Sequence, residues 1–313
     1  MKIIYMGTPD FAVAPLEAMI AAGHEIVLVV TQPDKPKGRG KEMQMTPVKQ
    51  CAVKHGIPVF QPVKIKQKEE VEKLKSYEAD IYVVAAFGQI LSQEILDIPR
   101  LGCFNIHASL LPKYRGAAPI QWAIIDGEKE TGVTIMRMDA GLDTGDMVSK
   151  IVVPITEKET GESLHDKLME AGAKLIVETL PAIEDGTASF TKQEDDLSCY
   201  AKMLSKSMGL IEWSRSADEI ERLVRGLNSW PSAYTYLEGK TCKIWEAKAM
   251  DESSDKEPGI ILTVSKDAFE VSTGQGILQV SMLQLEGKKR MTVKDFLLGH
   301  AIVTGSRLGE KTK

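Results

Sequence analysis

Asn105 and His107 lie two residues apart in the stretch Leu101–Gly116, LGCFNIHASLLPKYRG. Cys103-Phe104-Asn105-Ile106 reads as a short buried strand. In a strand, i and i+2 point to one face. An amide and an imidazole therefore stand side by side at its end, while Ile106 turns toward the core. Further along, Asp143 sits between Gly141 and Gly145 in DAGLDTGD, residues 139–146. An amide N–H stabilises a developing oxyanion. A histidine moves a proton near neutral pH, and a carboxylate sets its tautomer and charge. Asn105, His107 and Asp143 thus form a plausible acyl-transfer site with no covalent nucleophile, suited to an amine attacking an activated carbonyl. Ser109 is nearby, but nothing like G-x-S-x-G surrounds it. An ordinary turn is the competing reading of the Gly/Asp loop, and calcium is opposed by the absence of EF-hand spacing and of its terminal Glu.

The elements that must position these groups follow from the pattern around them. Pro112 rules out continued pairing in a sheet centre, and the open end of a parallel strand is where α/β sheets bind ligands. Lys2–Met6, Phe11–Ala22 and Glu25–Thr31 read as strand, helix and strand, which implies a parallel sheet with a right-handed crossover. The first turn departs from G-x-G-x-x-G, because Pro9 replaces the second glycine and Ala12 the third. Proline has no N–H to donate, so a nicotinamide enzyme is disfavoured. Asp80–Ala86 is a buried-type strand, and Phe87-Gly88-Gln89 at its open end should neighbour Asn105 and His107. Gly132–Met138 and Met147–Ile155 read as a hairpin-like edge, and Gly161–Ala182 as a helix covering the sheet. His24, His55, His165 and His300 read as surface or core histidines, and Trp122 as core.

Gln32–Thr46 reads as a long polar loop carrying Lys35, Lys37, Arg39 and Lys41 against Asp34. It is either a solvated loop or a basic finger for phosphates. Composition shifts at Asp185–Ser207, which reads as a linker. Beyond it, Ser216-x-x-Glu219 is a capping box opening a helix through Arg225. Five short runs then follow: Ala233–Leu237, Lys240–Ala247, Gly259–Val264, Phe269–Thr273 and Ile277–Leu285. Their close spacing predicts a small β-barrel. Lys288-Lys289-Arg290 is a basic turn that is either solvated or in contact with phosphates.

Composition bounds the function. The 313 residues are 43% hydrophobic and 27% charged with a formal charge of −5, so the whole molecule is not an electrostatic nucleic-acid binder. No apolar run approaches the roughly 20 residues of a membrane span, and the N-terminus does not read as a signal peptide. Cys51, Cys103, Cys199 and Cys242 are scattered with no CxxC, which indicates neither zinc nor a disulfide framework. The expected setting is reducing and cytoplasmic.

Asn105-Ile106-His107 followed by ASLLPKYRGAAP, together with DAGLDTG at 139–145, resembles the folate-dependent formyltransferases. The opening MGTPDFA at 6–12, the loop GRGK and the barrel-like final domain are similar to the members that formylate methionine on initiator tRNA. The resemblance covers essentially the whole chain. It implies an α/β fold, a Rossmann-like mostly parallel sheet domain over 1–188, a linker over 189–206 and a C-terminal OB-like tRNA-binding domain over 207–313. It also implies formyl transfer from 10-formyltetrahydrofolate to the amino group of initiator methionyl-tRNA, by direct amine attack and a tetrahedral intermediate.

By the same resemblance, Asn105 would hold the formyl oxygen, His107 would shuttle protons, and Asp143 would polarise His107 and help deprotonate the amine. Ser109, Leu110, Leu111 and Pro112 would border the folate, with Phe87, Gly88, Gln89 and Asp139 around its pterin. Arg39 and Lys41 would contact the tRNA. No metal, membrane or obligate protein partner is implied. The trio alone does not separate this from formyl transfer to a sugar-nucleotide amine or from formyl-folate hydrolysis; the GRGK loop and second domain favour tRNA. A non-catalytic RNA-binding protein is the other class, in which the trio would have no chemical part.

Overall fold

The computed structural model describes residues 1–37 and 42–309. They gather into two units. Met1–Pro119, Glu130–Pro154 and His165–Ala201 form the first; Ile120–Lys129, Ile155–Leu164 and the chain from Lys202 form the second.

In chain order the elements are β1 (Lys2–Gly7), α1 (Val13–Ala21), β2 (Glu25–Val30), β3 (Lys35–Lys37), β4 (Glu42–Gln44), α2 (Pro47–Lys54), β5 (Val59–Phe60), α3 (Lys68–Lys75), β6 (Ile81–Ala85), α4 (Gln93–Leu96), β7 (Cys103–His107) and β8 (Arg115–Gly116). They continue with α5 (Pro119–Ile125), β9 (Glu130–Arg137), β10 (Met147–Pro154), α6 (Gly161–Glu184) and β11 (Tyr200–Ala201). The large sheet runs β10-β9-β7-β6-β1-β2-β5. From β5 to β7 all neighbours are parallel, and β9 and β10 add an antiparallel edge. The fold is thus α/β with a mostly parallel sheet.

β6 is buried at every position, IYVVA, because a parallel strand is covered on both faces. Ile4, Met6, Leu28, Val30, Tyr82, Val84 and Cys103 share one core with Val71, Leu74 and Ile95 from α3 and α4. On the other face, Gly172 lets α6 settle directly on β7, since a Cβ there would lie 2.9 Å from Ile106 Cγ2. Burying a side chain such as Ile106 contributes about 2 kcal/mol. This packing fixes the strand that carries the polar pair.

Two stretches differ from expectation. The polar run 32–46 is not all loop: β3 and β4 pair antiparallel, Lys35 opposite Gln44 and Pro36 opposite Met43. The run expected as a linker holds β11, parallel to β8 through Tyr200–Arg115 and Ala201–Gly116. Both are held by backbone bonds between strands with no apolar alternation, so hydrophobic periodicity does not reveal them.

The second unit is β-rich. Its elements after α6 and β11 are α7 (Ala217–Gly226), β12 (Ala233–Leu237), β13 (Lys240–Met250), β14 (Ile261–Val264), β15 (Phe269–Ser272), β16 (Ile277–Leu285), β17 (Met291–Thr292) and α8 (Val293–Leu297). The sheet runs β12-β13-β16-β15-β14, every neighbour antiparallel, with β17 added on β16. Ile220 and Val224 of α7 join Ile244, Phe269, Val280 and Phe296 in one core. Among the described residues, no helix is long and apolar enough to cross a membrane.

α7 begins at the expected capping box. Glu219 N donates to Ser216 Oγ at 3.2 Å, and Ser216 N donates back to Glu219 Oε2 at 3.0 Å. The Ser216 N–H, and then its hydroxyl, hold the Glu219 carboxyl below the usual glutamate value. A carboxylate lowered in the folded state contributes stability above its unfolded pKa and loses it as pH falls through the folded value. Glu219→Gln should therefore destabilise the second unit by on the order of 0.5 kcal/mol near neutrality, a small figure because the group is solvent-screened. The difference from wild type should vanish in acid. Denaturation midpoints measured across pH check this; a difference independent of pH would remove the charged bond from the account.

Candidate active site

β7 carries the site because of its register. Asn105 is paired with Val84 of β6 on one side and Met136 of β9 on the other, and His107 is opposite Thr134. Asn105 and His107 share the face of Cys103, a buried thiol pushed up to about 12 by desolvation. They stand at the C-terminal end of the parallel strands, one strand beyond β1/β6, where the strand order reverses.

The structure brings the three predicted catalytic residues together. Asp143 Oδ1 lies 3.4 Å from Asn105 Nδ2, and Asp143 Oδ2 lies 3.7 Å from His107 Nδ1. His107 is 6% exposed and Asp143 14%, so the pair is largely withdrawn from water. The far side of the imidazole is fixed by Nε2 against the Tyr114 carbonyl at 2.9 Å. The N–H of Gly116 donates to Asp143 Oδ2 at 2.9 Å. One carboxylate therefore receives an amide, an imidazole and a backbone donor. Asp143 has φ +54°, Tyr114 φ +60° and Ala86, just past β6, φ +46°. Non-glycine residues in that region cost on the order of 1–3 kcal/mol and collect at functional sites.

The segment after β7 is pinned from below. Thr134 Oγ1 donates to the Ser109 carbonyl at 2.7 Å and accepts from Leu111 N at 3.1 Å. Lys150 Nζ donates to the Leu111 carbonyl at 2.5 Å, and desolvation holds this ammonium below the usual lysine value. Leu111 is buried with Met136 and Met147. Ser109 spends its hydroxyl on the Lys113 carbonyl at 2.7 Å. Leu110 approaches Gly132, where a Cβ would meet Leu110 Cδ2 at 2.6 Å.

Phe87, Gly88 and Gln89 follow β6 at the same end of the sheet. The Phe87 carbonyl accepts from Thr8 Oγ1 at 2.9 Å and Gln32 Nε2 at 3.2 Å. The Gln89 amide is turned away, to Ile65 N and the Pro62 carbonyl, each at 2.9 Å. Asp139 shapes its own loop, accepting from Gly141 N at 3.0 Å and Thr144 Oγ1 at 2.7 Å. Arg39 and Lys41 lie outside the described residues.

Two further clusters lie elsewhere in the chain. Glu17, Cys51 and His55 place ligand-type atoms within 4.8 Å of one another. Glu17 there already accepts from His55 Nε2 at 2.7 Å and Lys54 Nζ at 3.3 Å, and burial pushes the Cys51 thiol up to about 12. The cluster is satisfied as an ion-pair network. Within the second unit, a cleft of about 1200 Å³ is lined by Lys129, Lys158, Lys248, Trp245 and Arg290 among others, with acidic residues interspersed. Arg290 lies 4.8 Å and Lys243 5.6 Å from the Trp245 ring centre.

Sequence reasoning did not assign Tyr114, Gly116, Thr134, Lys150 or Gln193. Tyr114 and Gly116 act through backbone groups. Thr134 and Lys150 are legible only once β9 and β10 are in register. Gln193, in the run expected as a linker, bonds the Asp143 and Gly145 carbonyls, both at 2.8 Å.

Residues 1–180 match the formyl transferase family, and residues 203–301 match the formyl transferase C-terminal domain. The methionyl-tRNA formyltransferase of Agathobacter rectalis is 60% identical over 306 residues, covering 98% of this chain and 99% of that protein. That of Clostridioides difficile is 53% identical, covering 99% and 100%. Among solved structures, a sugar 3N-formyl transferase in the presence of dTDP and 5-N-formyl-THF superposes with a TM-score of 0.66 at 20% identity, over 92% of this chain and 99% of that one. HypX from Aquifex aeolicus in complex with tetrahydrofolic acid gives 0.64 at 18%, over 96% and 47%. At such identities the likeness is one of fold. With both domains matched and relatives at this identity along its length, the chain belongs to the methionyl-tRNA formyltransferases of the formyl transferase family.

Proposed function

We propose that this enzyme transfers the formyl group of 10-formyltetrahydrofolate to the amino group of methionine on initiator methionyl-tRNA. The observation that carries the chemistry is the single carboxylate shared by Asn105 and His107 at the open end of β7. The residues fit a formyl donor. Among the described residues, the Asn105 amide makes only the long 3.4 Å bond to Asp143, so it has hydrogen-bonding capacity for a formyl oxygen. Ala86 and Gly88 expose the turn after β6 where a flat ring system can lie against backbone.

When bound, the formyl-folate would supply the activated carbon, and the tetrahydrofolate left after transfer would take a proton on the nitrogen that carried the formyl group. Asn105 Nδ2 donates to the formyl oxygen as negative charge grows on it. His107 has Nε2 committed to the Tyr114 carbonyl, so Nδ1 is the nitrogen that exchanges a proton on the reacting side. Asp143 holds the imidazole in place and takes part in removing the amine's proton. Ser109–Pro112, braced by Thr134 and Lys150, and the turn 87–89 border the folate; Asp139 holds the shape of the loop carrying Asp143. These steps need no metal.

Arg39 and Lys41 meet the acceptor end of the tRNA, and the second unit is an OB-like module lying along it. In that unit Trp245, flanked by Arg290 and Lys243, joins a π face to two cations, and Lys288 and Lys289 precede Arg290 in the chain. Such a platform suits a stacked base and neighbouring phosphates. The expected setting is cytoplasmic.

The deciding assay offers the enzyme 10-formyltetrahydrofolate with methionyl initiator tRNA, methionyl elongator tRNA, or an amino-sugar nucleotide. Formylation of the initiator alone is expected; formylation of the amino sugar alone would move the acceptor to a small amine. His107→Ala should lower turnover by about 10²–10⁴-fold while leaving tRNA affinity unchanged, and retained turnover would remove His107 from the proton path. Arg290→Ala should weaken tRNA binding and reduce the slope of log affinity against log salt by about one. An unchanged slope would take Arg290 off the tRNA track.

A further inference from the structure

We propose that Gln193 is a positioning residue for the reaction, holding Asp143 in its working conformation through the backbone of the Asp143 loop. The inference rests on the reading of Asp143 as a catalytic residue.

The Gln193 amide is fully committed and its orientation is forced. Oε1 accepts from Arg115 Nε at 3.0 Å, and Nε2 donates to the carbonyls of Asp143 and Gly145, both at 2.8 Å. A primary amide has two donor hydrogens, and both have a carbonyl here. The guanidinium can only donate, so the amide oxygen must face it. Arg115 is itself 11% exposed and is anchored at its other end by Asp195 at 2.8 Å.

These bonds close a ring around the catalytic carboxylate. Arg115 grips Gln193, Gln193 grips the Asp143 carbonyl, and the Asp143 carboxylate accepts from the N–H of Gly116, the residue bonded to Arg115. Asp143 is thus held at its main chain by Gln193, which Arg115 grips, and at its side chain by Gly116, the residue after Arg115. Its left-handed backbone, φ +54°, is a conformation that a non-glycine residue does not keep unaided.

The mount of Gln193 is rigid. Two residues before it, Thr191 exchanges both backbone bonds with Met147, at 2.9 and 2.8 Å. Phe190 lies against Phe104 of β7 with ring centres 6.4 Å apart. Seven residues on, Tyr200 pairs with Arg115. The run expected as a linker is thus, through Ala201, part of the first unit and one of the structural members of its site.

The test compares Gln193→Ala and the isosteric Gln193→Glu, each in wild-type and Asp143→Asn backgrounds, by formylation kinetics of the full-length enzyme. Glutamate keeps the bond to Arg115 but presents oxygen to both carbonyls. Both variants should lose about 10–100-fold in kcat, the scale of a misplaced catalytic group, with KM for folate and tRNA little changed. In the Asp143→Asn background the same substitutions should have almost no further effect, which a general loss of structure would not reproduce. Wild-type kcat in either variant, a loss confined to KM, or full losses that multiply in the Asp143→Asn background would overturn the proposal. If Asp143→Asn alone keeps wild-type turnover, the assignment of Asp143 fails. If it loses turnover while the Gln193 variants do not, only the role of Gln193 fails.

Discussion

A single carboxylate must satisfy an amide, an imidazole and a backbone N–H at once, and the architecture of the first unit follows from holding it there. The distances of 3.4, 3.7 and 2.9 Å are unequal. The tight bond to Gly116 anchors Asp143, while Asn105 and His107 approach the carboxylate more loosely. In the proposed reaction such a site would be rigid where charge is held and loose where protons and acyl groups move.

The sheet explains why the carboxylate finds its partners. β7 is the last parallel strand, and the antiparallel β9 beside it starts at the C-terminal end of β7 and runs back, so that Thr134 lies opposite His107 and Arg137 opposite Phe104. The loop after β9 therefore leaves from beside the start of β7, where Met138 N donates to the Cys103 carbonyl, and folds back so that Asp143 meets Asn105 and His107. Thr134 then uses one hydroxyl as both donor and acceptor to tie β9 to the Ser109–Leu111 segment. The walls of the site are mutually braced, so each loop conformation depends on a strand register rather than on its own composition.

The parts legible in the sequence were those with local signals. The apolar run of β7, the i, i+2 polar pair and the capping box at Ser216 need only neighbouring residues to be read. Asp143 was legible because glycines bracket it. The β3–β4 hairpin was not, because its residues carry no apolar alternation. Gln193 lies 50 residues from Asp143 and 78 from Arg115 in sequence, and nothing around it distinguishes it from a solvated turn. The contributions of Tyr114 and Gly116 are made by atoms every residue possesses, so no side-chain pattern could announce them.

The placement of the thiols has a practical consequence. Cys51, Cys103 and Cys242 are buried, and desolvation pushes each up to about 12. Cys199 is exposed, and its sulfur accepts from the N–H of Tyr114, the residue whose carbonyl steadies His107. A maleimide dye under mild alkylating conditions will therefore mark one position. It will sit two hydrogen bonds from the His107 imidazole, through Tyr114, where its emission can follow changes around that residue without any engineered cysteine.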